Sequence, residues 1–64
     1  MFVVTDTITN IRTITDDLYG TIRGLFLSND NQIITTITEL VRKIEHGDDA
    51  TAESAWLGVR VETL

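Results

Sequence analysis

The sequence predicts a mainly α-helical fold, an antiparallel helical hairpin with a short C-terminal helix or strand appended. Three observations carry this. Apolar residues recur at steps of three and four through Ile8, Ile11, Leu18, Ile22 and Leu25. A second stripe with the same spacing runs through Ile33, Ile37, Leu40 and Ile44. The polar break Ser28-Asn29-Asp30-Asn31 lies between them. Steps of three and four keep one helix face apolar, and a break of this length suits two antiparallel neighbours.

The elements follow in order. Phe2, Val3 and Val4 favour a short extended segment over residues 1–5. Thr5, Asp6 and Thr7 are all able N-caps, so a first helix is expected over about residues 7–27. In a heptad frame its seam is Ile8, Ile11, Thr15, Leu18, Ile22 and Leu25, widened by Ile14 and Phe26. The β-branched run of Thr and Ile over residues 7–15 opposes a helix. Arg12-Thr13-Ile14-Thr15 also alternates as a strand would, but that alternation changes phase at Asn10-Ile11 while the helical spacing runs through. Gly20 and Gly24 fall inside this helix, each costing roughly 1 kcal/mol relative to Ala. They mark either a weakened stretch or the close approach of another backbone.

The second helix is expected over about residues 32–46, with seam Ile33, Ile37, Leu40 and Ile44 widened by Ile34 and Val41. Asn29, Asp30 or Asn31 can cap it. Glu39 and Lys43 are placed to pair one turn apart. Arg42, Lys43 and His46 suit the negative end of the helix dipole, and Gly47 is the expected stop. Asp48 or Asp49 can cap a short helix over residues 50–55, which Gly58 ends. Val59, Val61 and Thr63 then alternate with Arg60 and Glu62, as in a half-buried strand. An alternative α+β reading pairs terminal strands over residues 1–5 and 58–63, because a hairpin returns the chain to its starting end.

Length and composition bound the rest. Sixty-four residues make one domain, and a chain this short buries only roughly 60% of its unfolded surface. There is no Cys and only one His, so no disulfide and no zinc site supplement the core. Association is the remaining route. The chain is expected as a single domain, residues 1–64, folded within a homo-oligomer, with a dimeric four-helix bundle favoured. Its interface would use the apolar seam residues of both helices, Ile8, Ile11, Leu18, Ile22, Leu25, Ile33, Ile37, Leu40 and Ile44, together with Ile14, Phe26, Ile34 and Val41.

The net charge of −5 is repelled by phosphate backbones, which argues against direct nucleic-acid binding. No apolar run approaches the roughly 18 residues of a membrane span, and no signal peptide is visible, so a cytoplasmic or virion protein is expected. The composition implies no cofactor and no metal. His46 with Asp48 and Asp49 is the one cluster with catalytic flavour, and it reads better as a helix end with an acidic cap. Asp16 and Asp17 point about 100° apart on a helix. Ser28 and Ser54 have no base near them in sequence. No enzyme is expected.

Two non-catalytic functions remain. The first is an oligomerisation or assembly module built on the hairpin. The alternative is a small acidic inhibitor or adaptor, of the type phages and mobile elements encode, that binds a basic surface of a larger protein. Its candidate contacts are Asp16, Asp17, Asp48, Asp49, Glu53 and Trp56, since Trp is enriched among dominant interface residues.

Overall fold

A computed structural model describes residues 1–64. The elements are β1 (Phe2–Asp6), β2 (Arg12–Thr15), α1 (Leu18–Leu25), α2 (Asn31–Glu45), α3 (Thr51–Leu57) and β3 (Val59–Thr63). The strands form one antiparallel sheet in the order β2-β1-β3. Three helices and a three-stranded sheet make a small α+β fold. The helical hairpin, the coiled coil and the four-helix bundle are therefore incorrect.

The correction lies in residues 7–17. The Asp6 carboxylate accepts the N–H groups of Ile8 and Thr9, at 2.9 and 3.3 Å, and its carbonyl accepts from Asn10 at 2.7 Å. Asn10 takes the left-handed conformation, φ 61°, which Asn tolerates better than β-branched residues do. The chain thus reverses, and Arg12–Thr15 pairs with β1, Val3 opposite Ile14 and Val4 opposite Thr13. Local hydrogen bonding by Asp6 and the β propensity of the Thr/Ile run outweigh a three-four spacing that was accidental here. The helix begins only at Leu18, where Asp17 caps it by accepting from Gly20 at 3.0 Å.

From there the apolar spacing is real. Leu18 and Ile22 are buried on α1; Ile37, Leu40 and Val41 are buried on α2. Asp30 caps α2, its carboxylate accepting from Gln32 and Ile33. Gly47, at φ 76°, follows its last turn. The chain ends pair: β1 lies antiparallel to β3, Val4 opposite Val61 and Val3 opposite Glu62.

Side chains alternate across a sheet, so register sorts them by face. Val4 and Val59 join Leu18, Ile22, Ile37, Leu40, Val41 and Leu57 in one core, with Phe2 and Val61 packed against it. That face meets the helices. Val3, Thr5, Arg12, Ile14, Arg60 and Glu62 fall on the opposite face, which no helix covers. Val3 and Thr5 are nonetheless buried, because cross-strand neighbours flank them on both sides.

Candidate functional site

Helix α3 is seven residues long, and its last residue fixes how it sits. Leu57 enters the core at 6% exposure. One residue back is about 100° round the helix, so Trp56 points outward. It is 53% exposed, a large aromatic left in solvent. Glu53 lies one turn before Trp56 on the same side of α3. Both border a shallow depression of about 240 Å³ whose other wall is the polar side of α2, from Gln32 through Thr36 to Glu39.

An ion pair holds the two walls together. Lys43 Nζ donates to Glu53 Oε2 at 2.9 Å, joining α2 to α3. The hydrogen bond raises the Lys43 pKa and lowers that of the Glu53 carboxyl, each partner favouring the other's charged form. The second carboxylate oxygen, Oε1, is shielded and has no hydrogen-bond partner. Arg42 donates to Glu39 Oε2 at 2.7 Å. The single-helix pairing of Glu39 with Lys43 gives way to these two contacts, because Glu53 arrives from another helix and spacing within α2 cannot reveal it.

A larger groove, about 500 Å³, runs between β3 and the α2–α3 junction. Ile44, Ala50, Ala55, Val59 and Val61 supply its apolar lining, with Asp48, Asp49 and Arg60 among its polar residues. Asp49 accepts from the Thr51 hydroxyl at 2.6 Å and its N–H at 2.9 Å, and these bonds lower its pKa. His46 Nδ1 lies 2.7 Å from the Arg42 carbonyl, which can only accept, so the ring proton sits there.

The six candidate contact residues do not converge. Glu53 and Trp56 share the depression, whereas Asp48 and Asp49 line the groove. Asp16 lies in the bend before α1, and Asp17 is occupied as its cap. No group of three or more His, Asp or Glu side chains is placed to hold a metal ion.

The expected interface isoleucines also separate. Ile8, Ile11 and Ile14 are exposed at 86, 63 and 66%, in the β1–β2 turn and on β2. Leu25 is 40% exposed, while Phe26, Ile33 and Ile44 pack against the core and Ile34 is half-buried. Leu18, Ile22, Ile37, Leu40 and Val41 are enclosed within the chain itself. No helix is long and apolar enough to cross a membrane. No family model matches the chain, and no curated protein or solved structure matches it.

Proposed function

We propose that this chain is a non-catalytic acidic adaptor or inhibitor that docks on a basic surface of a larger protein through the α2–α3 face. The observation that carries the reading is Trp56, 53% exposed beside Glu53 and Glu39. A rigid aromatic with an adjacent charged rim has the composition of an interface hot spot. The depression is shallow and smaller than the roughly 300–1,000 Å³ of ordinary ligand pockets, which favours a protein surface over a small molecule. The net charge of −5 steers such a module toward a basic partner and away from phosphate backbones.

The test is capture from an extract of the cells that encode the chain, with the wild-type protein and Trp56→Ala used side by side. One partner should be retained by the wild type, released as salt rises, and lost with Trp56→Ala. Identical retained proteins from both would remove Trp56 from the contact. A partner whose retention ignores salt would remove the acidic steering.

A further inference from the structure

We propose that β3 is a dimerisation edge, on which a second copy of this chain adds its own β3 to make one continuous six-stranded sheet. The backbone comes first. Leu64 donates to the Met1 carbonyl at 3.1 Å, and Thr7 donates to the Gly58 carbonyl at 3.0 Å. Hydrogen-bonded positions alternate along an antiparallel ladder, so residues 60 and 62 turn their N–H and C=O groups toward β1. Those of Val59, Val61 and Thr63 point away from it. No other strand pairs with this edge of the sheet.

The side chains select a register. A two-fold axis normal to the sheet keeps like faces together, so residues of the same parity must oppose each other. With the axis through Val61, that residue lies opposite Val61 of the second copy, and Val59 lies opposite Thr63. Arg60 then falls opposite Glu62 of the second copy, and the reciprocal pair forms on the other side of the axis. Neither Arg60 nor Glu62 has an ion-pair partner within the chain. Both stand on the face that no helix covers. The Arg60–Glu62 pairs occupy the non-hydrogen-bonded positions, where side chains approach most closely. About six backbone hydrogen bonds would form across the axis.

The helix layer leaves room. The groove of about 500 Å³ lies between β3 and the α2–α3 junction, with Val61 and Ile44 half-buried in it. A second copy placed edge to edge covers this apolar lining. The other free edge is a poorer match. Centring β2 on Ile14 puts Arg12 opposite Asp16, which lies beyond the strand in a bend. The β3 contact leaves Trp56 outside the join, so a dimer presents two copies of the α2–α3 face.

The experiment is solution mass by light scattering on the full chain, with circular dichroism to follow folding. The wild type is expected at twice 7.2 kDa at high micromolar concentration. Arg60→Glu and Glu62→Arg alone should each give 7.2 kDa, since like charges then face each other. Combining both substitutions should restore the dimer, because the register then pairs them again with signs exchanged. Arg12→Glu, on the other edge, should leave the dimer intact. Thr63→Pro removes an N–H that points away from β1, and should give a folded monomer even if a charge reversal impairs folding. A wild type that stays monomeric overturns the proposal. So does a dimer unaffected by the single reversals and by Thr63→Pro.

Discussion

At the scale of single residues, two glycines in one short helix have opposite roles. A Cβ at Gly24 would meet nothing within 4 Å, whereas one at Gly20 would collide with the Asp17 carboxylate that caps α1. Gly24→Ala should therefore raise stability by roughly 0.5–1 kcal/mol, the ordinary gain of Ala over Gly in a helix. Gly20→Ala should show no such gain, because displacing the cap costs about 1 kcal/mol. Urea unfolding of the two variants tests the pair, and equal gains would mean that Asp17 does not cap. A second contrast separates core from surface. Leu40 is fully enclosed, so Leu40→Ala should cost about 2–5 kcal/mol. Trp56→Ala, at a half-exposed position, should cost far less stability while abolishing partner capture. Gly58 is required for its geometry: at φ 72° it turns α3 directly into β3. Gly58→Ala should destabilise by roughly 1–2 kcal/mol.

At the scale of elements, what could be read from the chain divides at Asp17. After it, the caps and spacing are local and sufficient. Asp30, the Ile37-Leu40-Val41 face and Gly47 define α2 with information held within it and in the residues that flank it. Before it, the deciding information is not a period. Ile8, Ile11 and Leu18 match helical spacing, but the β-branched residues between them and the Asp6 carboxylate choose a hairpin. A four-residue strand offers too little alternation to compete with a stripe whose spacing runs on into a real helix. The candidate site was legible only in part. Trp56 and Glu53 stand out by residue type, but their place beside Glu39 depends on how α3 folds back onto α2.

That fold-back is held by Lys43 and Glu53, which gives it a pH signature. The Glu53 carboxyl is lowered below its ordinary 4.5 in the folded chain. Its contribution is thus fully present above 4.5 and is lost as pH falls through the lowered value. Lys43 is raised above its ordinary 10.5, so its contribution is present below 10.5 and is lost as pH rises through the raised value. The difference in melting temperature between the wild type and Glu53→Gln should shrink as pH falls below 4.5. A difference that stays constant into acid would show that the pair does not link α2 to α3.

At the scale of the whole molecule, the sheet changes what association can be. A lone helical hairpin would leave two wide apolar stripes needing a bundle partner. Here Val4 and Val59 cover the stripes of α1 and α2 from the sheet side, so the core closes within one chain. The surfaces left over are of different kinds. One is a helical face with an exposed aromatic, where Glu39 and Glu53 are paired with Arg42 and Lys43; the other is a strand edge with one Arg and one Glu. The first is the surface proposed for a basic partner protein, and the second is the edge proposed for a second copy of the chain. The two proposals are independent, and each can fail without the other.

Trp56, proposed as the anchor of a protein contact, is the only tryptophan in the chain. Its fluorescence therefore reports the contact without a label, provided the captured partner is prepared with its own tryptophans replaced. In the free chain the emission should be that of a half-exposed indole, open to acrylamide quenching. Titration with the partner should shift the emission to shorter wavelength and reduce quenching, in step with complex formation. A complex that forms while emission and quenching stay unchanged would show that Trp56 does not anchor the contact.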